Sequence, residues 1–341
     1  MTEEGKMETE RQSLKKKFYQ FVMFRLALMI ELFRNLKQYF KVALFYQRCD
    51  VVKTLGEGQQ VKPIPPKVIA VIPHITSVEE SQDRQKAVAK IEKLRLTIDS
   101  LLASFAHCEL TIVIKTVADR HITAYLPEYQ INCIQVQEES NLDPMFMGFK
   151  CQDEFVKRVD EFDWFLFLED DILIQDSYLL EKLEKFNTTC GSKRALLFPN
   201  RYELWEGTKR YIDLIIDSGL EWNRLSSVEV DGVKFGECTN PHSGFFGLSK
   251  DQVKLWIESG REWNNKDLGF GGPRECAATY SLLECFSIYK PHPINLHFFE
   301  VRHYDTKYSQ LYPELSPDYI FSAIQPKRPV MEEEELTKTL V

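Results

Sequence analysis

The sequence lacks several features that would assign it directly to a class of protein, such as paired cysteines, an excess of basic residues and a long apolar run. Its eight cysteines include no CxxC pair, which disfavours zinc ribbons and thioredoxin-type chemistry. Their scattered positions indicate a reducing compartment, so we expect a cytoplasmic protein. The chain contains 43 Lys and Arg and 51 Asp and Glu, which gives a net charge of −8. An acidic protein of this kind is not expected to bind nucleic acids in general.

The sequence also lacks a charge-free apolar run near the ~20 residues that a transmembrane helix requires. Its densest apolar stretch, residues 15–46, is interrupted by Arg25, Glu31 and Arg34. Basic and aromatic residues there predict an amphipathic helical segment over residues 15–58. Two roles fit such a segment: a peripheral anchor on a membrane surface, or a helix packed on the domain or on another subunit. The sequence favours neither.

The remaining composition divides the chain into one domain and its flanks. Residues 1–14 are polar and charged, and we expect them to be disordered. Residues 59–67 are rich in proline and predict an extended linker. Residues 330–341 form an acidic tail. A single large domain is therefore expected over residues 68–329.

An alternation of strand and helix patterns predicts an α/β fold. Residues 68–72 form a buried apolar run, helical spacing follows over residues 91–105, and residues 110–114 form a second β run. This order implies parallel strands joined by a right-handed crossover. Further along, Asp231 and Gly232 stand between β-prone residues and predict a hairpin.

The most informative stretch joins a buried strand to three consecutive acids. Residues 164–168 are all apolar and lead directly into Glu169, Asp170 and Asp171. Neighbouring carboxylates repel, and burying one costs several kcal/mol or forces its protonation. A divalent cation such as Mg²⁺ or Mn²⁺ relieves this repulsion. We therefore expect a metal site at the carboxyl end of a central strand, where open α/β sheets hold ligands; a solvated acidic turn is the alternative.

Four features follow one another in a set order: the three acids, a small-residue loop around Gly244, a glycine-rich loop that ends at Glu275, and the late His303. Over about residues 67–308 this order resembles the glycosyltransferases of the GT-A fold. The acids resemble the EDD variant of the DxD motif in inverting N-acetylglucosaminyltransferases.

This resemblance implies a Rossmann-like, mostly parallel sheet flanked by helices. It also implies a metal-dependent, inverting transferase that moves a sugar from a nucleotide sugar to an acceptor hydroxyl; a retaining transferase is the alternative, because the metal motif does not specify the stereochemistry. UDP is favoured over GDP as the nucleotide, and Mn²⁺ or Mg²⁺ is the implied cofactor. The acceptor, whether glycan, lipid or protein, is left open.

The resemblance further implies how the acids and the late histidine would act. Asp171 would bind the metal, while Glu169 and Asp170 would face the ribose or the waters around the metal. His303 would complete metal or phosphate binding, since neutral imidazole is a good ligand. Arg302 or Lys307 are alternative partners for the diphosphate.

The remaining roles concern the nucleotide, the sugar and the acceptor. Pro73 and His74 would lie beside the base and ribose, and Gly244 beneath the donor sugar. Glu275 would be the general base for the acceptor hydroxyl, although Cys276 stands where the family has an Asp. An acid that only stabilises the start of its own helix is the alternative for Glu275. Arg201-Tyr202-Glu203 are expected to follow a strand on the acceptor side.

Two other functions stay open at this point. A sugar-phosphate nucleotidyltransferase shares much of this architecture, but no Gly-rich, Lys/Arg-containing signature follows the first strand, where a triphosphate would be cradled. A non-catalytic carbohydrate-binding relative would keep the acidic cluster without binding a metal.

Overall fold

The computed structural model describes residues 64–214, 222, 225–238, 241–259, 272–311 and 315–324. From Pro65 onward these belong to one compact unit. The predictions for residues 1–14, for the amphipathic segment 15–58 and for the acidic tail 330–341 lie outside the described residues, as does most of the linker. Among the described helices, none is long and apolar enough to cross a membrane.

A five-stranded sheet with the strand order β11-β4-β1-β2-β3 forms the centre of the domain. Its strands are β1 Lys67–Pro73, β2 Glu109–Val117, β3 Ile134–Glu139, β4 Trp164–Leu168 and β11 Phe245–Ser249. The strands β1 to β4 run parallel, and β11 is antiparallel to β4 at the edge. The predicted parallel pairing is confirmed, because Val68 lies opposite Leu110.

Both faces of this sheet are covered, which explains why its central strands are apolar without alternation. Successive residues of β1 enter opposite clusters: Val68 packs on the side that contains Ile98, and Ile69 packs on the side that contains Phe155. All five residues of β4 are buried. The predicted α/β class, a mostly parallel sheet flanked by helices, is therefore confirmed.

Most of the helices that flank the sheets are short, and the 17-residue Val88–Ser104 is the longest of those described. They are α1 Val78–Gln82, α2 Val88–Ser104, α3 Glu128–Ile131, α4 Met147–Lys157, α5 Leu179–Thr189, α6 Lys250–Glu258, α7 Pro273–Glu275, α8 Ser281–Leu283, α9 Lys307–Leu311 and α10 Pro317–Ile324. Helix α6 begins with a strong cap, since the Ser249 hydroxyl accepts the Gln252 backbone N–H.

A π-helical turn, Cys276–Tyr280, joins α7 to α8. Its carbonyl at Ala277 accepts a hydrogen bond of 2.8 Å from the Gln152 side chain of α4. The two elements also approach closely at Gly148. A Cβ atom at this position would lie only 2.5 Å from the Ala277 Cβ, so no larger residue fits without a shift. This contact packs the turn that directly follows Arg274 and Glu275 of α7 against helix α4.

Two four-stranded sheets complete the domain, with the orders β6-β12-β10-β9 and β5-β13-β7-β8. Their strands are β5 Ile172–Leu173, β6 Ala195–Leu197, β7 Asn200–Trp205, β8 Thr208–Tyr211, β9 Ser227–Val230, β10 Val233–Glu237, β12 Ser287–Pro291 and β13 Glu300–His303. The predicted hairpin is confirmed: β9 and β10 pair antiparallel around Asp231 and Gly232, which both have positive φ.

The sheet that contains β5 and β13 positions the acids. The chain leaves the central sheet after β4, passes through the three acids and enters β5. There β13 pairs antiparallel with β5, with His303 opposite Ile172. On its other side β13 runs parallel to β7. The C-terminal part of the domain is thereby brought to the acids.

Candidate metal and nucleotide site

The three acids lie at the carboxyl edge of the central sheet, as the sequence predicted. The Glu169 backbone N–H donates to the Gly244 carbonyl at 2.9 Å, which holds the first acid against the edge strand. Each of the three acids is partly exposed. They therefore face a surface opening, while the strand that carries them is buried.

Asp171 and His303 meet at this edge, as their predicted joint role requires. The His303 Nε2 atom lies 3.3 Å from the Asp171 Oδ2 atom. With Asp305 they form a group whose ligand atoms all lie within 4.8 Å of one another. Two carboxylates and an imidazole are suitable ligands for a divalent cation. Asp305 was not predicted from the sequence; its position two residues after His303 was the only local signal.

The buried side of His303 is bound by another acid. The His303 Nδ1–H donates to the Glu203 Oε1 atom at 2.8 Å. Burial lowers the pKa of an imidazole, but the carboxylates of Asp171 and Glu203 outweigh it and raise the pKa of His303 to about 9. The histidine is therefore held between two acids.

Lysine side chains from helix α2 also reach the acids. The Lys93 Nζ atom lies 2.7 Å from Asp305 Oδ2 and 3.5 Å from Asp171 Oδ2. Lys90, one turn earlier, lies 3.9 Å from Asp170 Oδ2. These lysines were not predicted as site residues, because a lysine on a helix after the first strand carries no local signal of its partner.

Asp170 belongs to a separate pair. Its Oδ2 atom lies 2.6 Å from the Nδ1 atom of His74, whose side chain is fully buried. Burial would raise the pKa of Asp170, but the bond to His74 and the nearby lysines hold this pKa well below its usual range. The structure thus places His74 behind Asp170, and a direct contact of its ring with a nucleotide stays a prediction.

Glu169 and Gly244 lie in contact. Burial and the nearby Asp171 charge raise the pKa of Glu169 to about 7. Gly244 has a φ of +65°, and a Cβ there would lie 2.7 Å from Glu169 Oε2 and 3.1 Å from Ile172. Both the backbone conformation and this close approach require glycine. The predicted place of Gly244 beneath a donor sugar is not tested by these contacts.

A cleft of about 230 Å³ opens beside the acids. All three acids line it, together with Lys90 and Arg274. Its other walls are mainly apolar: Pro73, Ile75, Pro144, Met145, Met147, Gly148 and Phe167. The cleft is therefore lined by both charged and apolar side chains, a combination that suits a ligand with phosphates and a flat ring. Pro73 lines this cleft, and its contact with a nucleotide stays a prediction.

Glu275 is held at the start of α7. Its Oε2 atom accepts the Gly272 backbone N–H at 3.0 Å. Arg274, rather than Glu275, is among the residues that line the cleft. The contact matches the alternative that Glu275 stabilises its own helix, and its role as a general base stays a prediction. The rest of the glycine-rich loop, residues 267–271, lies outside the described residues.

One of the expectations about strand residues needs correction. Arg302 lies on the opposite face of β13 from His303, because successive strand residues alternate, and it lines a separate small pocket with Tyr202. Arg302 is therefore not placed to bind the diphosphate. Arg201-Tyr202-Glu203 follow strand β6, as expected, and they themselves form part of β7; a place on the acceptor side stays a prediction. Arg201 forms a bidentate pair with Asp213 at 2.8 and 2.9 Å.

No known family matches the sequence, and no curated protein sequence matches it. Among solved structures, the chain is similar to S. aureus TarS, with 11% identity and a TM-score of 0.42; 72% of this chain is covered, and it spans 38% of that protein. It is also similar to the mannose-1-phosphate geranyltransferase from Thermus thermophilus, with 14% identity and a TM-score of 0.34 over 66% of this chain and 73% of that one. These values are low, so function is inferred below from the residues of the site.

Proposed function

We propose that the protein is a metal-dependent glycosyltransferase that moves a sugar from a nucleotide sugar to an acceptor hydroxyl. One observation carries this proposal. The group of Asp171, His303 and Asp305 lies at the same edge as a cleft that Lys90 and Arg274 also line. A cation site next to positively charged side chains is suited to a diphosphate. The order of motifs, which resembles the GT-A glycosyltransferases, supports the same function.

The donor set fits a divalent cation. Asp171 and Asp305 offer carboxylate oxygens, and His303 offers an imidazole nitrogen. This mixture suits Mn²⁺ better than Mg²⁺, which prefers oxygen ligands alone. When bound, the cation would offset the negative charge that develops on the departing nucleoside diphosphate.

Different side chains of the cleft would bind different parts of the nucleotide-sugar donor. Lys90 and Arg274 would bind phosphate oxygens through charge-assisted hydrogen bonds. The apolar wall, including Pro73, would hold the nucleotide base, and Asp170 would face the ribose with His74 fixing its carboxylate. Glu169 and Gly244 would lie next to the donor sugar. We favour UDP over GDP on the resemblance alone.

The acceptor hydroxyl would be activated by Glu275, with inversion at the anomeric carbon. In the structure the Glu275 carboxylate accepts the Gly272 N–H. Its second oxygen would take the proton of the acceptor while this bond holds the carboxylate in place. The acceptor would be a glycan, a lipid or a protein, and the described residues do not distinguish these classes.

A hydrolysis screen of UDP- and GDP-sugars with Mn²⁺ tests this proposal. The wild-type protein should release nucleoside diphosphate from at least one donor only when the metal is present. Asp171→Asn should abolish release and weaken Mn²⁺-dependent UDP binding, because a ligand is lost. Release of pyrophosphate from a nucleoside triphosphate and a sugar phosphate would instead identify a nucleotidyltransferase.

Asp163→Asn is a matched control. Asp163 lies at the other end of β4, where its carboxylate accepts the Lys67 backbone N–H at 2.9 Å. This variant should keep metal-dependent binding and turnover. Unchanged metal-dependent UDP binding in Asp171→Asn would remove the basis of the proposed function.

A further inference from the structure

Glu203 is an acid that the proposed reaction does not use, and it is fully buried. Its two oxygens each accept a different hydrogen bond. The Oε1 atom accepts the His303 Nδ1–H at 2.8 Å, and the Oε2 atom accepts the Ser309 backbone N–H at 2.6 Å. A buried carboxylate is costly unless its hydrogen bonds are satisfied, and here both oxygens are occupied.

These two bonds connect the elements that carry the candidate ligands. Strand β7 contains Glu203 and runs parallel to β13, with Tyr202 opposite Arg302. The next residue of β13 is His303, so Glu203 reaches it within the same sheet. Ser309 belongs to α9, which starts two residues after Asp305. Glu203 therefore holds His303 and the start of the helix after Asp305 in one arrangement.

The first bond also decides which ring nitrogen is free. Imidazole has two nitrogens, and the one that is hydrogen-bonded as a donor cannot bind a metal. With Nδ1–H directed at Glu203, the Nε2 atom is the one that faces Asp171, at 3.3 Å. An acid behind a metal-binding histidine fixes its orientation and makes it a better ligand.

We propose that Glu203 is a positioning residue that presents His303 Nε2 to a divalent cation. This inference rests on the metal site of the proposed function. A carboxylate is needed because both of its neighbours are donors. Glutamine has the same shape, but only one of its two terminal atoms accepts. In Glu203→Gln the side chain can satisfy only one of the two donors. In one orientation the Ser309 N–H loses its acceptor. In the other the amide NH₂ faces His303 and favours the imidazole with its proton on Nε2, which is the nitrogen proposed to bind the metal.

The test measures Mn²⁺ affinity by calorimetry and nitrogen coordination by electron spin-echo envelope modulation of bound Mn²⁺. Wild-type protein should show modulation from an imidazole nitrogen. Glu203→Gln should bind Mn²⁺ about 10- to 100-fold more weakly and should lose that modulation. A general loss of packing would weaken stability without selectively removing the nitrogen signal.

Glu300→Gln is the matched control. Glu300 lies in the same sheet, and its Oε1 atom contacts a different imidazole, the Nδ1 atom of His297, at 2.7 Å. Glu300 and His303 lie on opposite faces of β13. This variant should keep both the Mn²⁺ affinity and the nitrogen modulation. Glu203→Asp is a second test that serves if Glu203→Gln does not fold. Aspartate keeps both acceptor oxygens, but its shorter side chain moves them away from His303 and Ser309, so this variant should also lose the nitrogen modulation.

The outcomes separate the two proposals. Wild-type affinity with intact nitrogen modulation in both folded variants, Glu203→Gln and Glu203→Asp, would overturn the role of Glu203, and so would an equal loss in Glu300→Gln. If Asp171→Asn still weakened Mn²⁺ binding in that case, the metal site itself would stand. Absence of Mn²⁺ binding by the wild-type protein would overturn both.

Discussion

Replacing Lys93 with methionine should strengthen metal binding. The Lys93 ammonium forms ion pairs with two candidate ligands, at 2.7 Å from Asp305 and 3.5 Å from Asp171. A cation bound to both carboxylates would lie close to this ammonium, so the two positive charges compete for the same oxygens. Methionine keeps most of the apolar stem of the lysine and removes its charge.

The expected size of the effect follows from the exposure of these pairs. The Lys93 side chain is 22% exposed, and its partners are 17% and 34% exposed. Ion pairs in contact with solvent contribute about 0–1 kcal/mol each. Binding of a cation that displaces Lys93 therefore costs about 0–2 kcal/mol of existing interactions. Because 1.4 kcal/mol corresponds to a factor of ten, the middle of this range, about 1 kcal/mol, means that Lys93→Met should bind Mn²⁺ about fivefold more tightly.

Calorimetric titration of the nucleotide-free protein with Mn²⁺ measures this effect. Lys90→Met is the control, because Lys90 lies on the same helix but approaches Asp170, at 3.9 Å, and not the candidate ligands. Its Mn²⁺ affinity should stay near that of the wild type. Equal or weaker binding in a folded Lys93→Met protein would refute the competition and would indicate that Lys93 holds the acids in position.

Two further predictions concern stability, each measured by urea unfolding. Gly244→Ala should lower the free energy of unfolding by about 2–3 kcal/mol, because of the positive φ and the contact with Glu169. Gly191→Ala, also at positive φ but with nothing within 4 Å, should lower it by only about 1 kcal/mol. Equal losses in the two variants would contradict the role of the contact with Glu169. Burial and the Lys234 charge lower the pKa of His292 to about 4. The unfolded state, with an ordinary histidine pKa near 6.5, therefore binds more protons below that pH, and stability falls as the pH drops from about 6.5 towards 4. This should amount to about 1–2 kcal/mol at pH 5. His292→Asn should reduce that dependence, and an unchanged slope would exclude His292 as its source.

The metal-ligand predictions depended on different kinds of signal. Asp171 was found because three acids directly follow an apolar strand, and that contrast is local. His303 was found only through a resemblance in motif order. Asp305 was missed, because an acid two residues beyond a strand is common on protein surfaces. Its significance comes from Asp171, which is 134 residues away in the chain and reaches it through the pairing of β5 with β13.

The choice between two interpretations of Glu275 shows the same limit. Its position at the start of a helix was predictable from Pro273 and the preceding glycines. Whether its carboxylate faces the cleft or its own backbone depends on the conformation at Gly272, and the structure shows the bond to Gly272. His74 was likewise predicted to follow β1, but its buried contact with Asp170 depends on β1 and β4 being neighbours.

Several features of this protein can be predicted from residues that are neighbours in the chain. They are the apolar runs of β1 and β4, the turn at Asp231 and Gly232, and the three acids after β4, because strand burial and turn geometry are local properties. The side chains that surround those acids cannot be predicted in this way. Lys93, Glu203 and Asp305 come from a helix, a strand and a loop far apart in the chain, and only the packing of α2 and the order β5-β13-β7 brings them together.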